Sequence, residues 1–287
     1  MEIQLRPATQ TDAPACGRIV FEAFKGIAER HHFRPDFASA EIATELVQSF
    51  IESEMVYGVV AESDGEIVGS NFLWEFDPIR AVGPITINPR FQGHGVGRRL
   101  MQAVIERGRD AVGVRLLQDT FNTTSLSLYA SLGFDVKEPV VIIEGRLEGK
   151  VAQGFEVRPL RDEDYAACTE LCRRVHGFER TNELKNTPPM LTPFVALRDG
   201  RLTAYGSALT FWALNHALSE SEEDMQALLT GASLASAEPL SFILPTRQAA
   251  LFRWCLNHGL RIIKPMTLMA MGQYQQPQGC YLPSVGY

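Results

Sequence analysis

An α/β protein of two domains, each a mixed twisted sheet flanked by helices, is the fold this chain predicts, and three observations predict it. The first is size: 287 residues, 45% of them hydrophobic, carry enough apolar surface for two cores. The second is an internal repeat. Leu5-Arg6-Pro7, Asp12, Ala15 and Cys16 recur as Val157-Arg158-Pro159, Asp164, Ala167 and Cys168, all displaced by 152 positions. The third is the alternation of short strand patterns with helical ones through both halves. Residues 144–150 are polar and glycine-bearing and read as the linker, so the expected domains are 1–146 and 155–287.

Taken in order, residues 3–6 form a strand ending at Pro7, and a helix over about 12–25 starts at the acidic residue Asp12. A second helix covers 39–52. Strands at 56–62 and 66–76 flank Asp64-Gly65, a dipeptide suited to a tight hairpin turn. A strand at 84–88 leads into a helix at 95–109, where Leu100, Met101, Val104 and Ile105 recur at helical spacing. A strand at 114–119, a helix at 123–132 and a strand at 134–144 complete the half. The second half repeats the outline: a strand ending at Pro159, a helix at 163–175, and strands near 193–198 and 202–211 around Asp199-Gly200. A helix at 222–230, a strand at 240–244, a helix at 247–257 and a strand at 260–271 follow.

Composition removes several function classes. A formal net charge of −7 argues against a general nucleic-acid binder, and more weakly favours a cationic acceptor such as an amine. No stretch reaches eighteen apolar residues, and the opening Met-Glu-Ile-Gln-Leu-Arg lacks a basic segment followed by an apolar run. The expectation is a cytoplasmic protein without a membrane partner, monomeric or homodimeric. Five cysteines, an odd number without framework spacing, suit a reducing compartment.

The most informative stretch runs from Pro84-Ile85-Thr86-Ile87 through Gln92-Gly93-His94-Gly95-Val96-Gly97-Arg98 into the 95–109 helix. Glycines there let successive N–H groups point at one spot, the positive end of a helix, which favours a phosphate or pyrophosphate. Two rival phosphate loops fail. A dinucleotide fingerprint G-x-G-x-x-G meets Arg98 counting from Gly93 and Leu100 counting from Gly95, and a P-loop meets Arg98 and Arg99 in place of Lys and Ser or Thr.

The pattern that fits, Q-x-x-G-x-G at Gln92, Gly95 and Gly97, resembles the pyrophosphate loop of the GNAT superfamily of acyl-CoA N-acyltransferases. Downstream, Asn122, Ser125, Leu128, Tyr129, Gly133 and Phe134 match the other half of that family's cofactor site. The resemblance implies acetyl-CoA as co-substrate, with no metal. It implies a site formed by Ile85, Thr86 and Ile87, the loop from Gln92 to Arg98, and Asn122, Ser125 and Tyr129. Asn122 and the helix it opens would contact the pantetheine and phosphate arm, and the Tyr129 hydroxyl would lie near the sulfur. Without the resemblance, Asn122 reads as a helix N-cap and Tyr129 as core filling.

The second half lacks these features. Where its phosphate loop would fall it reads Asn215-His216-Ala217-Leu218-Ser219-Glu220-Ser221-Glu222-Glu223-Asp224, whose carboxylates suit a helix N-terminus and would repel a pyrophosphate. Setting Gly259 against Gly133 puts Cys255 where Tyr129 stands and Gln248 where Asn122 stands. This half reads as a GNAT-like domain that has lost its cofactor site, serving as support or as a wall of the acceptor pocket. Cys168, Cys172 and His176 share a helix face, but with Leu171 and Val175 beside them they read as core rather than as zinc ligands.

Aminolysis of a thioester needs a neutral amine, a polarised carbonyl and a protonated leaving thiolate. Tyr129 is the expected proton donor. The family often places a Glu before the phosphate loop, but Val82-Gly83-Pro84-Ile85 has no carboxylate. Glu75 is the leading base, beside Trp74 and Phe76, with Asp77, Asp119, His31, His32 and an ordered water as alternatives. The uncharged, apolar tail from Gly272 to Tyr287 is expected to be docked. It either covers the second domain's sheet or carries the C-terminal carboxylate of Tyr287 into the acceptor pocket. Two functions remain: an N-acetyltransferase acting on a primary amine of a small molecule or protein, and a catalytically silent acyl-CoA-binding module with a partner-docking second domain.

Overall fold

In the computed structural model, which describes residues 2–286, the first strand, β1 (Gln4–Pro7), is tied to the helix after it by a two-pronged ion pair. Arg6 donates through Nη1 and Nη2 to the two carboxylate oxygens of Asp12 at 2.7 and 2.8 Å, and the Thr9 N–H donates to the same carboxylate at 2.8 Å. Asp12 stands at the head of α1 (Ala13–Arg30), so the geometry of strand end and helix start rests on one buried carboxylate. These hydrogen bonds hold the Asp12 pKa down to about 2, against a desolvation cost that acts the other way. A depressed carboxylate stabilises the fold fully above its unfolded value of 3.8 and loses that contribution as pH falls towards 2. Asp12→Asn is therefore expected to lower stability by about 1–2 kcal/mol at neutral pH, since Arg6 is partly exposed and screened. Denaturation at pH 7 and pH 3 checks it, because the difference from wild type should shrink at the lower pH.

The first unit comprises residues up to Asp135 together with Met269–Gly272. After α1 come α2 (Ala40–Glu52), β2 (Val56–Ser63) and β3 (Glu66–Trp74). The β2–β3 turn is Asp64-Gly65 with φ of 51° and 80°, the doubly left-handed conformation that the dipeptide predicts. Next come β4 (Ile79–Val82), β5 (Thr86–Ile87), α3 (Val96–Arg107), β6 (Gly113–Asp119) and α4 (Thr123–Ser131). The sheet runs β1-β2-β3-β4-β6, with the returning segment Met269–Gly272 on the far side of β6.

Neighbouring residues of β3 point to opposite faces. A Cβ on Gly69 would touch Leu100 of α3, and Ser70 lies against Cys16 of α1, so helices cover both faces. Leu73, Val82, Leu100, Met101, Val104, Leu116, Tyr129 and Phe134 fill the core on the α3 side. The strand expected at 84–88 is confined to β5, and a further strand, β4, precedes it where the sequence predicts none. Gly83-Pro84, a cis peptide, separates them, and the upstream piece is stabilised by its parallel pairing with β6, a long-range contact with no local signal.

The second unit takes Val136–Leu268 and Gln273–Tyr287. Its elements are β7 (Asp135–Gly145), β8 (Phe155–Pro159), α5 (Tyr165–His176), α6 (Asn182–Lys185), β9 (Phe194–Arg198), β10 (Arg201–Gly206) and β11 (Ala217–Ser219). They continue with α7 (Glu222–Ala235), β12 (Leu240–Pro245), α8 (Ala249–Asn257), β13 (Arg261–Gly272) and β14 (Cys280–Leu282). The units part at Asp135 rather than in the 144–150 stretch, because β7 ladders antiparallel with β12 from Val140↔Pro245 to Gly145↔Leu240. The repeat has the same physical meaning here: Arg158 grips Asp164 at 2.7 and 2.9 Å, and Asp199-Gly200 turns with φ of 52° and 80°. A second sheet runs β14-β11-β10-β9-β8. The tail is docked as its composition predicts, with Tyr281, Leu282 and Ser284 fully buried.

Candidate functional site

The first unit's sheet opens on one side. Parallel β4 and β6 stay together from Ile79↔Gly113 to Ala81↔Arg115, and beyond that β5 pairs only with β3 among the described residues. Leu116 to Asp119 of β6 therefore border a gap in the hydrogen-bond ladder. The Asn88 N–H donates to the Val68 carbonyl at 2.9 Å, and in an antiparallel ladder bonded positions alternate. Thr86 thus bonds β3, while Ile87 turns its N–H away from β3 and into the gap. Ile85 lies two residues earlier, at the break after Pro84.

Next to this gap stands the N-terminus of α3. Gly93 and Gly95 adopt φ of 81° and 80°, and Gly95 is the N-cap without any side-chain capping bond. The first intrahelical donor is Arg99, to the Gly95 carbonyl at 3.2 Å, which leaves the N–H groups of Val96, Gly97 and Arg98 with no acceptor inside the helix. A Cβ at Gly93 or Gly95 would meet nothing within 4 Å, so the approach to these donors is open. His94 contributes by holding the Gln92 carbonyl at 2.9 Å through Nδ1, which tightens the turn, and the Gln92 side chain is exposed.

Two sequence assignments change in detail. A Cβ on Gly97 would press on Ile87 Cδ1 at 3.2 Å and Leu128 Cδ2 at 3.4 Å, so this glycine serves close packing of α3 on β5 and α4 rather than space for a phosphate. The Arg98 guanidinium is directed to Ser131 Oγ at 2.7 Å, so its contribution to the loop is its backbone N–H.

Across the gap, α4 is built as its motif predicts. Asn122 caps it, its Oδ1 accepting the Ser125 N–H at 3.2 Å, a bond that does not engage Nδ2. Ser125 Oγ donates to Gln118 Oε1 at 2.9 Å. Gln118, on β6, is buried, and its Nε2 has no hydrogen-bond partner among the described residues. The sequence reading missed Gln118, although an amide inside the apolar strand Val-Arg-Leu-Leu-Gln was a signal. Tyr129 is buried, and its hydroxyl is pushed well above the ordinary phenol range, first by burial and second by the charge of Asp119, with the Ser125 hydroxyl partly offsetting both. The hydroxyl therefore keeps its proton at physiological pH.

The base candidates separate. Gly69 faces Ile87 and Trp74 faces Ala81, so Glu75, just past the end of β3, lies six residues from the position opposite Ile87, roughly 20 Å away along the strand. There its two oxygens accept from Arg107 at 2.9 and 3.3 Å, at the C-terminal end of α3. This geometry removes the reason for placing Glu75 first, and Asp77 follows β3 at the same end. Asp119 is buried at the C-terminal end of β6, close enough to raise the Tyr129 pKa, and His31 packs against Phe121 two residues on. His32 is exposed, and Tyr287 lies outside the described residues.

The second unit has filled the equivalent positions. The N-terminus of α7 is capped by Ser221, whose Oγ accepts the Asp224 N–H at 3.2 Å, and Glu220 is clamped by Arg201 at 2.6 Å and Arg174 at 2.7 Å. The strand β14 of the tail pairs with β11 and packs beside β12, in the place where the first unit leaves its gap. Gln248, before α8, exchanges two hydrogen bonds with the backbone of Tyr281, Nε2 to O at 2.6 Å and N to Oε1 at 3.0 Å. Its amide therefore holds a peptide of this chain where Asn122 has a donor to offer. Cys255 is fully buried, its thiol pushed up to about 12 by desolvation. Among the described residues no cluster of His, Cys, Asp and Glu is arranged to hold a metal ion, and no helix is long and apolar enough to cross a membrane.

With this geometry in view, the comparisons are specific. Residues 21–134 match the family model described as Acetyltransferase (GNAT) family. A Pyrococcus horikoshii structure bearing an acetyltransferase name is similar over 97% of this chain and 92% of its own, with a TM-score of 0.76 and 15% identity. A GCN5-related N-acetyltransferase from Sphaerobacter thermophilus covers 96% of both chains with a TM-score of 0.64 and 17% identity. A tandem GNAT protein from the clavulanic acid biosynthesis pathway covers 96% of this chain and 100% of its own, with a TM-score of 0.59 and 13% identity. At these identities the likeness is one of fold. No curated protein matches the sequence.

Proposed function

From a chain whose residues 21–134 belong to the acetyltransferase (GNAT) family and whose fold is that of a tandem GNAT protein, we propose an N-acetyltransferase that works in its first unit. It moves the acetyl group of acetyl-CoA to a primary amine of a small molecule or protein, by direct attack in a ternary complex. The observation that carries this reading is the uncapped N-terminus of α3 opening beside the β5–β6 gap, with the neutral hydroxyl of Tyr129 across it.

The residues suit an acyl-CoA. The N–H groups of Val96, Gly97 and Arg98 offer hydrogen bonds to a pyrophosphate at the positive end of a helix. The Ile87 N–H, Asn122 Nδ2 and the orphaned Gln118 Nε2 offer donors to an arm carrying amide and hydroxyl groups, and a buried donor without a partner favours a site that supplies one. When bound, acetyl-CoA supplies the thioester acyl group. The amine nitrogen bonds to the carbonyl carbon, the carbon–sulfur bond breaks, and Tyr129 gives its proton to the departing sulfur. Asp119 takes the proton released by the amine, directly or through water, and replaces Glu75 as the assigned base.

Thiol release from acetyl-CoA with a panel of primary amines tests the activity. Asp119→Asn is expected to lower kcat by roughly 10² to 10⁴ while acetyl-CoA affinity stays within a fewfold. Tight acetyl-CoA binding with no thiol release for any amine would return the chain to a silent binding module.

A further inference from the structure

The acceptor side of the gap has a feature that the cofactor does not use. The loop between α1 and α2, residues 31–39, turns back at His32, φ 62°, and its Phe33 N–H donates to the Ala28 carbonyl at 2.9 Å. This sets the Phe33 ring on Phe121, centroids 4.4 Å apart and planes 12° from parallel, with His31 5.1 Å from the same Phe121 ring. Farther along the loop, Phe37 meets Phe24 of α1 edge to face at 5.6 Å. Phe121 stands between Asp119 and Asn122, so the stack adjoins the carboxylate assigned as base and the cap of the helix that carries Tyr129.

Phe33 and Phe121 lie outside the α3-side core cluster, and both are partly buried. Each ring of the stacked pair covers one face of the other, so the wall it offers a ligand consists of ring edges and an outer face, against which a further aromatic ring packs offset or edge to face. Asp119, two residues before Phe121, supplies a carboxylate for the nitrogen of an amine held on that ring.

Resting on the transferase reading above, we propose that the acceptor is a primary amine on a short tether to a flat aryl or heteroaryl group, and that Phe33 and Phe121 select it. A simple alkylamine reaches Asp119 but leaves the wall uncovered. A linear diamine likewise leaves the wall uncovered.

The test measures kcat/KM of the full chain by thiol release at saturating acetyl-CoA, with 2-phenylethylamine, tryptamine, n-propylamine and 1,4-diaminobutane. The aryl amines are expected to exceed n-propylamine by about ten- to a hundredfold, the range given by burial of one aromatic ring. Phe33→Ala and Phe121→Ala should reduce that ratio by about tenfold or more, and Phe33→Leu, which keeps the loop packed, by less. Acetyl-CoA affinity measured by calorimetry on each variant reports that the cofactor site is intact. Turnover of n-propylamine with no aryl preference, a preference for the diamine, or a ratio unmoved by the three variants overturns the inference alone. Acetyl-CoA binding without turnover of any amine overturns it together with the transferase reading.

Discussion

Tyr129→Phe is expected to lower turnover by roughly 10² to 10⁴, the range for a positioned general acid, with acetyl-CoA affinity nearly unchanged. The argument rests on environment. The hydroxyl is buried and its ionised form is disfavoured first by desolvation and then by the charge of Asp119, so the proton stays on oxygen at physiological pH and above. The proton is therefore in place when the thiolate departs, although the raised pKa makes this phenol a weaker acid than a free tyrosine. Removing only the oxygen leaves the ring to pack edge to face on Phe134 at 6.4 Å, so the fold should be retained. The raised pKa adds a second expectation with a definite sign. The wild-type rate should not fall through the ordinary phenol range near pH 10, because Tyr129 ionises above it. Single-turnover rates across that range, with wild type and variant side by side, check both. A variant with nearly full turnover while chemistry limits the rate would assign proton transfer to water.

Gly95→Asp is the second large effect: acetyl-CoA affinity should fall by roughly a hundredfold or more in a protein that still folds. The position has φ of 80°, which Asp tolerates better than most residues, and a Cβ there meets nothing within 4 Å. A carboxylate at the N-cap would accept from the first-turn N–H groups, so helix stability need not suffer. The same carboxylate takes the donors a pyrophosphate needs and sets a negative charge at its place, losing charge-assisted hydrogen bonds of about 1.5–3 kcal/mol each. Calorimetry on the folded variant measures this. Wild type should show one acetyl-CoA per chain and the variant none, because the second unit has a capped α7 and a tail strand where a second cofactor would lie. Two sites on the wild-type chain would contradict that account of the second unit.

Legibility in the sequence followed the range of the interactions. The acidic helix starts at Asp12 and Asp164, the two Asp-Gly hairpins and the Asn122 cap were readable because each closes over a few residues, and local sequence specifies such contacts. The glycines of the α3 loop were readable for the same reason: φ near 80° at Gly93 and Gly95 is a local demand. Gly97 was not, since its neighbours Ile87 and Leu128 come from two other elements.

By itself, then, the sequence determined the class of fold, the twofold repeat, the loop at the start of α3 and the Asn122–Tyr129 helix, all short-range features with a fixed stereochemical signature. Only the tertiary structure decided which residues meet across the gap. Glu75 and Asp119 are equally plain carboxylates at strand ends in one dimension. Strand register sends the first to Arg107 and the second to Tyr129. The stacking of Phe33 on Phe121 joins positions 88 residues apart, and the insertion of β14 beside β11 joins the tail to a strand more than sixty residues earlier. Such contacts depend on the packing of the whole unit, where burial and pairing energies outweigh any local preference, and no short window of sequence contains them.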